Sequence, residues 1–394
     1  MARKASRTGS DQFGFTIVEL LIVIVVIAIL AAITIVAYNG ITQNAKKSAA
    51  SSAAQQAGKK IVAYALQNGD QYPASLAPLG FTDSGDTSYQ YTPNQVGGNY
   101  CVTVTVGGIS SSVGGFSNEV NQATPGPCPG HTGMAPTTLD DGSSCPAGYI
   151  VVPGNSTFGT KSFCVMKYEA KNVGGVATSQ AAGTPWVSIS QTSALSTAAA
   201  ACAGCHLITE AEWMTIAANV LSVPSNWSGN AVGSGFIYSG HNDNSPANAL
   251  AATTNDSDGY NGTGNATGSN QRRTLTLTNG AVIWDLAGNV YEWTDATISG
   301  AQPGGSGYAW RQYPGLSSLH TLPSASRPSA IPGASGWSST QGIGQLYSNA
   351  DESGVRAFLR GGTWTADSGA GVLALTLSGT PSGSGANLGF RVAK

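Results

Sequence analysis

The chain has 394 residues, of which 10% are charged, and its 18 basic and 20 acidic side chains leave a formal net charge of −2. The length allows two or three domains with a real core. Because there is no basic stripe or polybasic tail to neutralise phosphates, the composition gives no support to a nucleic-acid-binding protein. Scarce charge together with 52 glycines is more typical of an extracellular surface protein than of a cytosolic enzyme.

An almost wholly apolar segment from Phe15 to Ala37 is long enough to cross a bilayer as a helix. Three basic residues precede it, which predicts a cytoplasmic amino end. One interpretation is a secretory signal peptide that is cleaved after a small-residue site such as residues 30–32. That interpretation leaves Glu19 unexplained, because a carboxylate in a bilayer core is costly and needs a partner.

The start of this segment reads GFTIVEL from residue 14. It resembles the type IV pilins and pseudopilins, whose basic leader ends in Gly and is followed by Phe-Thr-X-X-Glu-Leu. The resemblance implies that a prepilin peptidase cuts between Gly14 and Phe15 and that the new amino terminus is methylated. It also implies that Glu19 neutralises the terminal amine of a neighbouring pilin subunit during fibre assembly. We therefore favour a membrane anchor and display on a bacterial surface or pilus over the signal peptide.

Residues 1–14 are then a leader, and residues 15–68 are predicted to form one long helix whose second half leaves the membrane. Residues 69–128 are predicted to form a small antiparallel sheet, as in pilins, with the clearest alternation in CVTVTV at 101–106. Residues 129–146 are rich in Pro, Gly, Ser and Thr without periodicity, which predicts a linker.

The cysteines all lie downstream of the apolar segment, and their even number on the exported side predicts disulfides. Six cysteines allow 15 pairings, and the sequence does not choose among them. The pilin resemblance implies that Cys101 and Cys128 close the tail of the small sheet. A zinc site at residues 202–205 is the alternative, although no second pair completes a tetrahedral ligand set. The six are Cys101, Cys128, Cys145, Cys164, Cys202 and Cys205.

Residues 147–394 are predicted to form an α+β domain in which loops outweigh regular structure. Four motifs follow one another along it: FCVMKYEA (163–170), LITEAEW (207–213), WDLAGNVYEWT (284–294), and LRGGTW (359–364) followed by NLGFRV (387–392). In this order they resemble the formylglycine-generating enzyme or sulfatase-modifying family, which folds as an elaborated C-type lectin. The predicted fold class is thus a long pilin helix with a small antiparallel sheet, then a C-type lectin-like domain.

The family's oxidases use a copper-binding cysteine pair shortly after the Arg-Gly-Gly stretch. The corresponding places here fall at about Ala366 and Gly371, and no cysteine follows Cys205. Because copper(I) needs soft thiolate ligands, we expect no oxidase activity and no enzyme. A surface enzyme of the sulfatase-modifying type and a purely structural minor pilin are the alternative interpretations.

Calcium is the one cofactor that the resemblance leaves open. The family places an ion at the stretch AGNVYEW, where Asn289 and Glu292 match its side-chain ligands. The Asp- and Asn-rich stretch 241–265 also carries oxygen ligands, but it does not match the EF-hand spacing and is interpreted as a polar surface loop. Trp284 and Trp293, beside the calcium candidates, are predicted to be core.

The stretch 360–391 resembles the variable region of proteins that retroelements diversify by mutating adenines, which randomises Asn codons and leaves a framework unchanged. We therefore predict a binding surface here for an unknown surface protein or glycan, the alternative being a plain Gly- and Ser-rich loop. The framework side chains predicted to be buried are Trp364, Leu375, Leu377 and Phe390. The predicted ligand-binding residues, which should face solvent, are Thr365, Ala366, Asp367, Ser368, Thr376, Ser378, Gly379, Gly383, Ser384, Gly385 and Ala386.

Overall fold

The computed structural model describes residues 42, 44–83, 87–95, 99–114, 122–128, 131, 139, 143–316, 318–331 and 333–394. The chain divides into two units, Met1–Ala45 and Lys46–Lys394. The predicted cleavage site at Gly14 and Phe15, Glu19 and the apolar segment lie outside the described residues. Within the described ranges, no helix is both long and apolar enough to cross a bilayer.

A helix and a small sheet begin the second unit. Helix α1 covers residues 44–67 of the described chain. The strands are β1 (Thr87–Gln95), β2 (Asn99–Val106), β3 (Ile109–Gly114) and β4 (Thr124–Pro125), paired antiparallel in that order. Alternation along β2 buries Val102 and Val104 in one core with Ala57 and Ile61 of α1. The predicted helix and antiparallel sheet are therefore present in this region.

The larger domain contains helices α2 (Gln191–Ala201) and α3 (Glu210–Leu221). Its strands are β5 (Tyr149–Val152), β6 (Phe163–Met166), β7 (Lys171–Val173), β8 (Val176–Thr178), β9 (His206–Leu207), β10 (Thr274–Thr276), β11 (Val282–Trp284), β12 (Tyr291–Ser299), β13 (Ala309–Arg311), β14 (Leu346–Ser348), β15 (Val355–Arg360), β16 (Leu375–Thr376), β17 (Leu388–Phe390) and β18 (Val392–Ala393). One sheet has the order β13-β14-β16-β15-β12-β17 and another the order β5-β6-β18-β9, while β7-β8 and β10-β11 are hairpins. Short strands joined by long loops confirm the predicted α+β class.

Helix α3 begins at Glu210 because Thr209 caps it. The Thr209 hydroxyl accepts a hydrogen bond from the Glu212 backbone N–H at 3.2 Å, and the Glu212 carboxylate accepts one from the Thr209 N–H at 2.9 Å. This capping box satisfies amides that a helix start leaves unpaired. Trp213 and Ile216 of the same helix are fully buried, so the cap places the apolar face of α3 in the main core.

Three buried ion pairs hold the motif residues together. Arg360 donates to Glu210 at 2.5 Å, and Arg391 donates to Glu292 at 2.8 Å. The third pair, between Arg273 and Asp285, has a distance of 2.7 Å. All three arginines are essentially inaccessible to solvent. The motifs that carry the family resemblance therefore include a charged framework inside the domain.

All six cysteines are paired, as Cys101–Cys128, Cys145–Cys164 and Cys202–Cys205. The prediction of disulfides and the implied closure of the small sheet are confirmed. The zinc interpretation of residues 202–205 is wrong, because both sulfurs are used in a covalent bond. The second bridge ties Cys145, at the end of the predicted linker, to strand β6.

Candidate functional site

A groove of about 410 Å³ lies on the six-stranded sheet. We call it the aromatic groove, and it is lined by Tyr291, Trp310, Tyr347, Leu359, Thr363, Thr365, Ala366, Thr376, Ser378, Gly379, Asn387 and Leu388. Every strand of the six-stranded sheet contributes one or more of these residues. Five of them, Thr365, Ala366, Thr376, Ser378 and Gly379, are predicted ligand-binding residues, so the structure brings these five together.

The row of side chains across the groove follows from strand register. Trp310 pairs with Tyr347, Tyr347 pairs with Thr376, and Thr376 pairs with Leu359 on neighbouring strands. Register partners project to the same face of a sheet, about 5 Å apart. A continuous surface therefore forms from residues that are far apart in sequence. Trp310, Tyr347 and Tyr291 were missed in the sequence, because no local pattern indicates which residues will pair.

Aromatic rings form one side of this groove. Trp310 is 39% exposed, and its ring centroid lies 5.0 Å from that of Tyr347. Tyr347 in turn stacks on Tyr308 at 5.5 Å. A Cβ atom added to Gly369 would lie 3.0 Å from the Trp310 ring, so the glycine lets the ring rest against the loop after β15. The exposed indole is thus supported from two sides.

The polar wall of the groove contains a buried hydroxyl. Thr376 is 5% exposed, and its Oγ1 makes no hydrogen bond of ordinary geometry. Burial raises the pKa of the Tyr291 hydroxyl, and the neighbouring Thr376 hydroxyl opposes that rise. Thr363 is already engaged, because its hydroxyl donates to the Asn289 carbonyl at 3.2 Å. The expectation that Thr376 faces solvent is wrong, since β16 is an inner strand of the sheet.

A second concavity of about 350 Å³, the polar groove, holds two further predicted residues, Asp367 and Ser368. Its other lining residues are Phe236, Ser239, Gly268, Ser269, Asn270, Ser339, Thr340, Gly342 and Ala370. Thr365 and Ala366 line the aromatic groove, and the next two residues line the polar groove. One short loop therefore separates the two grooves. Asp367 begins a 3-10 turn that ends at Gly369.

The remaining predicted residues, Gly383, Ser384, Gly385 and Ala386, line neither groove. The Gly385 carbonyl accepts hydrogen bonds from the Ser188 N–H at 2.9 Å and the Leu388 N–H at 3.0 Å. These residues form a separate, partly exposed loop before β17.

The predicted framework is largely, but not wholly, interior. Leu375, Leu377 and Phe390 are buried as predicted, and so are Trp284 and Trp293. Trp364 is only half-buried, because it lies in the loop that follows β15 and not on a strand. The prediction of a buried Trp364 is therefore wrong.

The two predicted calcium ligands do not fit the ion as they are arranged. Both carboxylate oxygens of Glu292 accept hydrogen bonds from Arg391, at 2.8 and 3.0 Å. The Asn289 side-chain oxygen accepts a hydrogen bond from the Leu250 N–H at 2.8 Å. Its amide nitrogen donates one to the Glu169 carboxylate at 2.6 Å. Calcium needs six to eight oxygen ligands, whereas a guanidinium already neutralises Glu292 here. In the described part of the chain, no cluster of three or more His, Cys, Asp or Glu residues could hold a metal.

The places that correspond to the copper-binding cysteines are also unsuited to them. A Cβ atom added to Gly371 would lie 2.2 Å from the Gly344 amide nitrogen, and its φ of +155° disfavours any side chain. Ala366 lies half-buried at the aromatic groove. With every cysteine in a disulfide, the chain has no thiol to offer at either place.

Comparison with known proteins agrees with this organisation at both ends of the chain. Residues 9–35 match the prokaryotic N-terminal methylation motif, the leader and start of the apolar helix of pilin-like proteins. Residues 144–394 match the sulfatase-modifying factor enzyme 1-like domain. The chain belongs to this family, which confirms the resemblance and the C-type lectin-like fold class.

A fimbrial protein of Neisseria meningitidis serogroup A is 34% identical over 109 residues. The match covers 28% of this chain and 61% of the fimbrial protein, so the chain spans less than two thirds of that relative's length. The pilin-like character of the amino-terminal region thus has support from two comparisons.

Among solved structures, the Major Tropism Determinant P3c variant is 16% identical, with 69% of this chain and 58% of that chain covered and a TM-score of 0.29. The I1 variant is 15% identical, with coverages of 82% and 88% and a TM-score of 0.29. Treponema denticola variable protein 1 is 14% identical, with coverages of 74% and 98% and a TM-score of 0.28. Similarity at this level carries no inference about function.

Proposed function

We propose that the chain is a pilin-like surface protein that displays its C-type lectin-like domain for adhesion or recognition through the aromatic groove. One observation carries the proposal: five predicted ligand-binding residues line the same groove as an exposed tryptophan. Aromatic residues in concave, partly desolvated places are typical of binding sites. The ligand belongs to another cell or surface.

The methylation motif and the similarity to a fimbrial protein support the same proposal from the amino-terminal side. In it, prepilin peptidase cuts before Phe15, the apolar segment anchors the chain in the membrane, and Glu19 joins it to other pilin subunits. Mass spectrometry of the mature protein should find a methylated Phe15. Glu19→Ala should enter the membrane normally but reach fibres less often, because only the pairing between subunits is lost.

Binding without catalysis is favoured by the chemistry of the domain. The motif residues Glu210, Arg360, Glu292 and Arg391 are used in buried ion pairs and are not available to a substrate. Together with the absence of a thiol, this supports a binding module over a sulfatase-modifying enzyme. Oxidation of a cysteine peptide by the purified protein in the presence of copper would favour the enzyme instead.

We further propose that the groove is diversified. The positions that line it include exposed loop residues such as Thr365 and half-buried ones such as Ser378, where substitutions usually change stability by less than about 0.5 kcal/mol. Sequencing the 3′ end of the gene across a population should find changes confined to adenine positions of a template. A uniform 3′ end with no near-copy or reverse transcriptase beside the gene would contradict diversification.

The binding proposal is tested by filling the groove. The double variant Thr365→Arg with Ser378→Arg should abolish binding of the full chain, in detergent micelles, to a panel of bacterial and animal cells in flow cytometry. Val355→Arg, at an exposed residue that starts β15 but lies outside the groove, is the matched control and should bind normally. Unchanged binding by the double variant would place the site elsewhere. Binding to none of the cells by the unmodified chain would favour the structural minor pilin.

A further inference from the structure

The aromatic groove is electrically neutral. Its twelve lining residues include aromatic, aliphatic, hydroxyl and amide side chains and no Asp, Glu, Lys, Arg or His. The polar groove on the other side of the same loop differs, because Asp367 lines it. A charged ligand group would lose its hydration in the aromatic groove without gaining a counter-charge. The groove is therefore better suited to an uncharged ligand group than to a charged one.

One wall of the groove offers a flat aromatic surface that is already in place. The Trp310 ring is 39% exposed while Tyr347 and the loop at Gly369 support it. Because the ring is ordered before binding, contact with it costs little conformational entropy. The face of an aromatic ring carries partial negative charge, which attracts the partially positive C–H groups on one side of a sugar ring.

The groove also offers hydroxyl and amide groups to a ligand. Thr376 Oγ1 is buried and makes no hydrogen bond of ordinary geometry. No described residue forms a hydrogen bond with the side chains of Thr365, Ser378 or Asn387, which line the same groove. Hydroxyl and amide groups both donate and accept hydrogen bonds, as do the hydroxyls of a sugar. A buried hydroxyl without a partner is a cost that a ligand hydroxyl would remove.

The size of the groove suits one or two sugar rings. Its volume of about 410 Å³ lies in the range of about 300–1,000 Å³ that is usual for small-molecule sites. We propose that the aromatic groove binds a neutral saccharide unit of a surface glycan, stacked on Trp310 and hydrogen-bonded to Thr376 and Ser378. This inference rests on the proposed binding function of the same groove.

A glycan array probed with the full chain in detergent micelles tests the inference. Neutral glycans should be retained, and adding sialic acid or sulfate to the bound sugar should remove the signal. Calorimetry with the best neutral oligosaccharide should show at least tenfold weaker binding for Trp310→Ala and a smaller loss for Trp310→Phe. Val355→Ala, exposed to a similar degree but outside the groove, is the control and should bind normally. Selective retention of anionic glycans would overturn the inference.

Thr376→Val separates a binding role of the hydroxyl from a structural one. The two side chains have nearly the same shape, and the threonine hydroxyl has no regular partner to lose. The variant should therefore melt at the same or a higher temperature while it binds the neutral oligosaccharide at least tenfold more weakly. A lower melting temperature with unchanged affinity would make the hydroxyl structural and remove it from the proposed site.

Treatment of the target cells separates this inference from the proposed function. Periodate destroys sugar diols, and protease removes surface proteins. Loss of groove-dependent cell binding after periodate would support both proposals. If that binding survives periodate and is lost after protease, the binding function stands and the saccharide is wrong. If Trp310→Ala and the groove-filling variant bind cells as the unmodified chain does, both proposals fail.

Discussion

The framework ion pairs and the aromatic groove contain residues that lie close together in sequence but differ in burial and charge. Arg360 is inaccessible and paired with Glu210, whereas Thr365, five residues later, is exposed at the groove. Arg391 is buried and paired with Glu292, whereas Asn387 lines the groove. The charges hold the domain together, and the neutral side chains beside them are available to a ligand. Residues that stabilise the domain and residues of the proposed binding site thus lie within a few positions of each other.

The largest expected effect comes from breaking a framework pair. Arg391→Met leaves Glu292 buried without its cation, which should lower the free energy of unfolding by about 3–5 kcal/mol. Arg356→Met is the matched control, because Arg356 pairs with Glu352 at a more exposed place, and this substitution should destabilise the domain much less. Urea unfolding of the full chain measures both. Similar losses for the two variants would contradict the distinction between framework and surface.

Two tryptophans, one fully buried and one partly buried, test how the contribution of a residue to stability depends on its burial. Trp293 is fully buried under the groove, and Trp293→Ala should destabilise the domain by roughly 3–5 kcal/mol. Trp364 is only partly buried, so Trp364→Ala should destabilise the domain less than Trp293→Ala does, since less apolar area is lost. Thermal unfolding of the two variants checks the order. If Trp364→Ala lowered the free energy of unfolding more than Trp293→Ala, Trp364 would be a buried framework residue, as the sequence predicted.

The partly exposed pair between His206 and Glu212 should give a smaller, pH-dependent effect. The hydrogen bond that the His206 ring donates to the Glu212 carboxylate, at 2.9 Å, raises the pKa of His206, and partial burial opposes the shift. Because the folded-state pKa is raised, the stabilisation is complete below the ordinary value of 6.5 and is lost as the pH rises through the folded-state pKa.

Solvent screens this pair, whose histidine side chain is 40% exposed, so the loss should not exceed about 1 kcal/mol. The free energy of unfolding, measured between acidic and mildly alkaline pH, should show this loss of stability. His206→Gln should remove the pH dependence. A pH dependence that survives this substitution would have to come from another group.

The smallest effect is expected from calcium. Since Arg391 already neutralises Glu292, about 1 mM calcium, the working range of many extracellular calcium modules, should not change the melting temperature. Excess chelator should have no effect either. A rise in melting temperature with calcium that Glu292→Gln abolishes would show that the ion displaces the arginine.

Local patterns were sufficient for the features that depend on neighbouring residues. The cap of α3 was predictable because Thr209 and Glu212 interact across a single turn. The alternation of β2 predicted its buried valines because a strand has a period of two. The methylation motif and the family of residues 144–394 were recognisable because their motifs are short and occur in order.

The set of residues that line the aromatic groove could not be predicted from local sequence patterns, because tertiary structure brings them together. Thr376 was expected at the surface because it stands between Leu375 and Leu377, which were predicted to be buried, but β16 lies between β14 and β15 and is covered. Gly383 to Ala386 belong to the same stretch as Thr365 but lie in a different loop.

The sequence alone determined the two-part organisation, the fold class and the absence of a cysteine after Cys205. Only the tertiary structure decided that Trp310, Tyr347 and Thr376 form one surface and that Arg391 takes both oxygens of Glu292. The physical reason is the range of the interactions. Caps, periodicity and motifs act within a few residues, whereas sheet register and buried ion pairs join residues that are far apart in sequence, such as Arg360 and Glu210, which are separated by 150 positions.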